Sequence, residues 1–402
     1  MRNHKGQLPS RKAREIFGLA QRQGTVSKQL LLEMSGLTMS TLTRTLEELL
    51  ETGLLIEVGY GESTGGRRPI LYQTNPNYSY LFGLDISRMR TRLILFDMQL
   101  MRLEQRLWLM TGNTTPGYLL REIADAAAAM LQRRAIPRDK VLGIGIGAVG
   151  PLDRREGRIL EPLHFPAAGW KDVAICAYFE ETLGIPAVLD NGANAAILGE
   201  YWANRMEEYQ HLLYVHAAVG LRSAMMSNGK VVYGAVDMEG AIGQMIIQAD
   251  GPPFRSVEGN HGALETYVST YALEKEVKSR LRQGRRSILS EWLRDPEELT
   301  FNDLVKALQE DDPLVKEIFT QSATYFGIGL ANLLNILHPE KVILGGTLIT
   351  AHDLFFEVAT DVALRKTYYY PVYQVAFSKG SLGEEAVATG AACLVMDRWI
   401  HA

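Results

Sequence analysis

Met39, Ser40, Thr41, Thr43 and Arg44 crowd one short stretch of chain, and Arg67 and Arg68 follow in a glycine-rich tip. Short hydroxyls and a guanidinium at the start of a helix suit phosphate oxygens and base edges. A pair of arginines on a hairpin tip suits phosphate or a narrow minor groove. The chemistry indicated is recognition of double-stranded DNA, with no bond made or broken.

The surrounding elements must position these groups. Ala13, Ile16, Phe17 and Ala20 form an i, i+3, i+4, i+7 stripe, the mark of a first amphipathic helix. A second helix is predicted from the N-cap Ser27 through Leu30, Leu31 and Met34 to Gly36. A third is predicted from Thr38 to Gly53, burying Leu42, Leu46, Leu49 and Leu50. Only Gly36-Leu37 joins the second to the third, which is the spacing of a helix-turn-helix whose second member enters the major groove. Residues 54–58 and 69–72 read as two strands flanking the tip, so residues 10–73 read as a winged helix. The competing reading is a helical protein-interaction module with solvated polar faces; the arginine-tipped hairpin favours DNA. Residues 1–76 hold ten Lys/Arg and seven Asp/Glu, whereas the chain as a whole carries a net charge of −4. A weakly basic head on an acidic body suits a regulator better than a general nucleic-acid coat.

At 402 residues, 47% hydrophobic and 22% charged, the chain is long enough for two or three globular domains. Cys176 and Cys393 are the only cysteines, which excludes a disulfide framework and suits a reducing cytosol. The N-terminus lacks the apolar segment of a signal peptide. The most apolar stretch, 141–152, is too short and glycine-rich to span a membrane, so a cytoplasmic location is expected. Beyond the turn-forming residues 74–77, strands are predicted at 81–86, 92–97, 141–146, 186–190, 212–215, 223–226 and 341–346, with helices at 116–134 and 193–204. Strands alternating with helices define an α/β body.

Several motifs then carry a resemblance that runs over nearly the whole chain. Gly143-Ile144-Gly145-Ile146-Gly147 through Gly150-Pro151-Leu152-Asp153 and Gly157 resembles the signature of the ROK family (repressor, open reading frame, kinase). Residues 191–200, residues 330–340 and the Gly345-Gly346 strand end resemble it too, and Ser63 to Pro69 is similar to the wing of its repressor branch. The resemblance implies a winged helix on a two-lobed, actin-like sugar-kinase fold. Its implied domains are 1–76 for DNA binding, 79–190 completed by about 380–402 as the smaller lobe, and 191–379 as the larger lobe with effector pocket and oligomerisation surface.

Departures from the family pattern matter as much. Sugar phosphorylation needs a carboxylate base and a glycine-rich phosphate cradle. The resemblance places that base at Gly192, which has no side chain; Asp190 lies two residues away, displaced along a strand. The two phosphate loops read Ser87-Arg88-Met89 and residues 218–224, where Cβ atoms and the arginines Arg88 and Arg222 replace glycine. These arginines are either ordinary surface or ion-paired groups or contacts for an anionic ligand. The family's zinc ligands correspond to Gln244, Ser256, Glu258 and Ala263, leaving His261 alone, so no metal is expected. Of the family's sugar contacts, Asn191 and Glu265 remain while another is Ala241. An amide and a carboxylate suit vicinal hydroxyls, although Glu265 could equally serve backbone amides at a helix start.

The expectation is a sugar-responsive repressor without catalytic residues or cofactor. It would bind a palindromic operator as a homodimer or homotetramer and sense a sugar or sugar phosphate in a cleft between lobes. Two alternatives stay open: a sugar kinase with a DNA-binding appendage, and a regulator controlled by a protein partner.

Overall fold

A computed structural model describes residues 10–62, 68–163, 165–236, 241–253 and 260–401. The chain divides into two compact units, Met1–Glu208 with Glu385–Ala402, and Tyr209–Glu384.

The first unit begins with α1 (Arg11–Gln23), β1 (Thr25–Ser27), α2 (Lys28–Ser35), α3 (Met39–Glu51), β2 (Leu55–Tyr60) and β3 (Ile70–Thr74). Each helix starts on the hydroxyl the sequence offers. Ser10 accepts from the Ala13 N–H at 3.1 Å, Ser27 from Leu30 at 3.1 Å, and Thr38 from Thr41 at 3.4 Å. Gly36, at φ 61°, ends α2 in the left-handed conformation that favours glycine. Ala13, Ile16, Phe17, Ala20, Leu31, Leu42 and Leu49 are fully buried, while Leu50 is only half-buried. Burial of each large side chain contributes about 1.5–3 kcal/mol. The strands form an antiparallel sheet of order β1-β3-β2, so the winged helix has a third strand beyond the expected hairpin.

The rest of this unit holds β4 (Tyr80–Ile86), β5 (Arg90–Asp97), β6 (Arg102–Leu109), α4 (Pro116–Arg133), β7 (Val141–Ala148), the short β8 (Leu152–Asp153) and β9 (Arg158–Ile159), α5 (Ile175–Leu183), β10 (Ala187–Asn191) and α6 (Gly192–Ala203). The terminal helix Ala386–His401 returns to complete it. The main sheet has the order β10-β7-β4-β5-β6, with β10, β7 and β4 parallel, β5 antiparallel to β4, and β6 antiparallel to β5. Small residues let the terminal helix lie directly on the sheet and on α6. A methyl on Gly145 would overlap the Ala391 carbonyl, and one on Gly390 would overlap that of Ala195. That packing is why α6 belongs with the first unit.

The second unit contains β11 (Leu212–Ala217), β12 (Leu221–Ser227), β13 (Lys230–Val231), α7 (Leu264–Tyr267), α8 (Thr270–Arg282), α9 (Leu289–Trp292), α10 (Phe301–Gln309), α11 (Pro313–Leu337), β14 (Lys341–Gly345), α12 (Thr347–Ala351), α13 (Asp353–Lys366) and β15 (Ala376–Ser378). Its sheet order is β13-β12-β11-β14-β15, with β11, β14 and β15 parallel, β12 antiparallel to β11, and β13 antiparallel to β12. Strand order and directions therefore repeat those of the first unit's sheet, which is the duplicated α/β arrangement expected of an actin-like body. The long α11 starts at Asp312, which accepts from Val315 N–H at 3.0 Å, with Pro313 in the first turn. Phe319, Phe326 and Phe355 form the fully buried centre between α11 and α13. Among the described residues no helix is long and apolar enough to cross a membrane.

Candidate functional site

The helix-turn-helix pair places the expected contact residues on one face of α3. Met39, at 52% exposure, Ser40 and Arg44 point into solvent, opposite the buried Leu42, Leu46 and Leu49. Thr41 and Thr43 are half-buried and their hydroxyls are engaged. The Thr38 hydroxyl donates to Thr41 Oγ1 at 2.9 Å, and Thr43 Oγ1 donates to the Met39 carbonyl at 2.7 Å. These bonds hold the two threonines against the helix, with the Thr43 O–H spent on the Met39 carbonyl and the Thr41 hydroxyl accepting from Thr38. Among the described residues no hydrogen bond or ion pair holds the Arg44 side chain. Arg68 is exposed beside β3; Arg67 lies outside the described residues. The hairpin runs with Leu55 opposite Thr74 and Tyr60 opposite Ile70. Its stem carries Tyr60 at 65% exposure, an aromatic that sequence reasoning missed.

Nothing in the local pattern foretold how the winged helix is held. Its core is continuous with Leu81, Ile94 and Phe96 of the main sheet and with Ala388, Ala392 and Met396 of the terminal helix. The Trp399 ring meets the Phe17 ring edge-on, centroids 5.6 Å apart, and lies 6.3 Å from Tyr78. Aromatic pairs in this range contribute about 0.5–1.5 kcal/mol beyond their burial. Arg205, stacked 4.4 Å over Trp202, donates to the Trp202 carbonyl at 3.0 Å and borders Gly24 at the end of α1. The face of α3 that carries Met39, Ser40 and Arg44 is thereby fixed to the body of its own unit.

At the end of β10 the chain resembling a catalytic segment is tied up in helix capping. Asn191 caps α6, its Oδ1 accepting from Asn194 N–H at 2.8 Å. Asp190, 2% exposed, accepts from the Asn191 N–H at 2.8 Å and from Asn194 Nδ2 at 3.0 Å. A carboxylate with these partners is an anchor, because taking up a proton would cost it charge-assisted bonds. Gly192 opens α6, and a Cβ built there would meet nothing closer than the Ala148 carbonyl oxygen at 3.8 Å. Glycine is therefore not forced on this position by crowding. On the neighbouring β4–β5 turn, Arg88 donates through Nε to the Leu163 carbonyl at 2.8 Å.

In the second unit, Glu265 sits in the first turn of α7, half-buried. Its Oε2 accepts from the Leu221 N–H at 3.4 Å, and Gly220 and Gly243 leave the space its carboxylate fills. Ala241 precedes a single 3₁₀ turn, Ile242–Gln244, whose Gly243 lies against that carboxylate. Arg222 on β12 is half-buried and pairs in register with His216 on β11. Burial pushes the His216 imidazole down to about 4, so it is neutral at pH 7 and offers no charge to a phosphate. His261 is exposed, and Ala263 is buried; Ser256 and Glu258 lie outside the described residues. No group of three His, Cys, Asp or Glu able to hold a metal occurs among the described residues. Asn191 and Glu265 belong to different units.

The chain is similar over much of its length to known repressors and kinases. The chain is 27% identical over 371 residues to the xylose repressor of Caldicellulosiruptor bescii, covering 92% of each. It is 29% identical over 232 residues to a glucokinase of Halalkalibacterium halodurans, covering 58% of this chain and 69% of that one. The crystal structure of a ROK family transcriptional regulator, a homolog of the E. coli MLC protein, superimposes with a TM-score of 0.78 at 21% identity, covering 97% of this chain and 98% of the other. A model of the ROK family matches residues 81–398, and the chain belongs to the ROK family.

Proposed function

We propose that this protein is a DNA-binding transcriptional repressor of carbohydrate metabolism, acting in the cytoplasm on a palindromic operator. Its kinase-like body senses a sugar or sugar phosphate and has no catalytic turnover. The observation that carries the reading is the face of α3: Met39, Ser40 and Arg44 are exposed in a helix-turn-helix, opposite the buried Leu42, Leu46 and Leu49. Arg44 reads a base edge, the α3 start and Arg67-Arg68 meet phosphate, and Thr41 and Thr43 support the surface. The similarity to a xylose repressor over 92% of both chains supports the same assignment.

Absence of catalysis rests on Gly192 and on Asp190, whose carboxylate is committed to Asn191 and Asn194. The glucokinase relative favours a second reading, a kinase with a DNA-binding appendage. It fails on chemistry, since a phosphoryl acceptor hydroxyl needs a proton acceptor that this segment does not supply. Asn191 and Glu265 are the effector contacts in this account. A ligand shifts DNA affinity only through unequal affinity for two arrangements of the protein, with a coupling on the order of 1–3 kcal/mol. DNA titrations with and without sugars test this. A sugar that weakens DNA binding five- to hundredfold in wild type, with no effect on Glu265→Ala, supports the reading. A variant responding like wild type moves the effector elsewhere, and steady sugar phosphorylation by wild type sinks the non-catalytic assignment.

A further inference from the structure

At the edge of the first unit's main sheet, where β6 ends and α4 begins, lies an open groove of about 390 Å³. Its walls are Trp108, Leu109, Thr111, Asn113, Thr114 and Tyr118, with no charged side chain among them. The volume falls in the range of small-molecule pockets, about 300–1,000 Å³. β6 and β10 are the two edges of the sheet, four inter-strand steps apart, so the groove stands roughly 19 Å across the sheet from Asn191. The turn that shapes it is fixed. The Thr111 N–H donates to Thr114 Oγ1 at 2.9 Å, and the Trp170 indole N–H donates to the Thr114 carbonyl at 3.1 Å. Trp108 is only 9% exposed, yet its Nε1 is buried without a hydrogen-bond partner among the described residues. A buried indole N–H ordinarily finds an acceptor, as that of Trp170 does. The Asn113 amide and the Tyr118 hydroxyl also make no hydrogen bond among the described residues, and both residues are exposed. The Arg106 guanidinium lies 5.1 Å over the Trp108 ring and donates to Glu122 at 3.2 Å, so its charge is met beside the groove.

We propose that this groove is a second ligand site, for a neutral saccharide, separate from the effector contacts Asn191 and Glu265. The chemistry of the lining selects that class. A pyranose ring has apolar C–H faces and an edge of hydroxyls. Trp108, Leu109 and Tyr118 offer apolar surface, and three unspent polar groups stand beside it. The Asn113 amide both donates and accepts, which fits vicinal hydroxyls. A ligand hydroxyl seated on Trp108 gives the indole N–H an acceptor. A sugar phosphate or an acidic peptide calls for a cation in the lining, and none lines the groove. An apolar ligand would cover the three polar groups and leave them unpaired. The proposal does not depend on the DNA or effector reading.

The test is fluorine NMR of the full-length protein labelled with 5-fluorotryptophan. The five tryptophans give one signal each, and that of Trp108 is the one missing from Trp108→Phe. The neutral probes are D-xylose, D-glucose, N-acetyl-D-glucosamine and cellobiose; glucose 6-phosphate and gluconate are the anionic ones. At least one neutral probe should move the Trp108 signal saturably at millimolar concentration. Asn113→Ala and Tyr118→Ala should each raise its dissociation constant at least tenfold, with thermal melting unchanged because both side chains are exposed. Glu265→Ala should leave that constant unchanged. No response to any neutral probe overturns the proposal. So does a response that Glu265→Ala abolishes or that both groove variants retain, and so does tighter binding of an anionic probe at Trp108. The effector reading fails separately: DNA affinity would then be insensitive to every sugar while the Trp108 signal still responds.

Discussion

Replacing Gly192 by aspartate restores, on paper, the base that sugar phosphorylation requires, and the structure sets what it would cost. The position opens α6, lies outside the left-handed φ region, and leaves a Cβ in ordinary contact with Ala148 and Val387. Loss of glycine's freedom in the unfolded chain contributes about 0.4–1 kcal/mol in favour. An acid in the first turn contributes about 0.3–1 kcal/mol more. Against this stands the buried Asp190 two residues away, some 6–7 Å along an extended chain. Two carboxylates at that distance repel by about 2–3 kcal/mol at an effective dielectric of 20. Gly192→Asp should therefore fold and lose no more than about 2 kcal/mol near pH 7. Gly192→Asn, which adds the shape without the charge, should gain up to about 1 kcal/mol. Repulsion raises the new carboxyl's pKa in the folded protein, so the deficit exists above that pKa and fades as pH falls and the group protonates. Urea denaturation measures the stabilities, and coupled assays with Mg-ATP and a panel of hexoses and amino sugars measure turnover. Activity should stay at background, because Arg88 and the 218–224 loop still stand in for a glycine cradle. Phosphorylation by Gly192→Asp would refute the loop argument, and a loss above about 3 kcal/mol would refute the geometry at α6.

Other expectations follow from the packing. Phe17→Ala should cost about 3–5 kcal/mol and lower the melting of the whole first unit, since Phe17 shares a core with Trp399 and the main sheet; a winged helix that melts alone contradicts that continuity. Asp97, whose carboxyl is pushed up by burial against two backbone N–H bonds, is penalised when ionised. Its folded pKa lies above the unfolded one, so stability falls as pH rises through it, and Asp97→Asn should be neutral or stabilising at pH 7 with the advantage vanishing below about pH 4. Burial pushes the Cys176 and Cys393 thiols up to about 12, so neither should react with Ellman's reagent until the protein is unfolded; rapid native labelling of Cys393 argues against the terminal-helix packing, and of Cys176 against the packing of α5.

Much of this was written locally. Ser27, Gly36 and Thr38 delimit α2 and α3 as their capping chemistry requires, and the α1 stripe is the buried one. Strands 81–86 and 92–97 pair as expected. What escaped has a physical reason. β1 is three residues long and has no period to read, and β6 is a sheet edge whose Arg102, Gln105 and Arg106 are exposed, so its alternation is weak. The docking of Trp399 on Phe17 joins opposite ends of the sequence, and the pairing that commits Asp190 depends on where α6 begins. Gly192 could be read as a missing base from sequence alone, but not as a position with room for one.

The central claim is sequence-specific recognition of duplex DNA through α3. Selection of the full-length protein against a random duplex pool, followed by titration of the winning sequence with wild type and Arg44→Ala, tests it most directly. The account predicts an enriched palindromic motif. Arg44→Ala should lose about 1–3 kcal/mol of discrimination at one base position in each half-site, with non-specific affinity largely retained. No enriched motif, or an enriched motif bound as selectively by Arg44→Ala as by wild type, would contradict it.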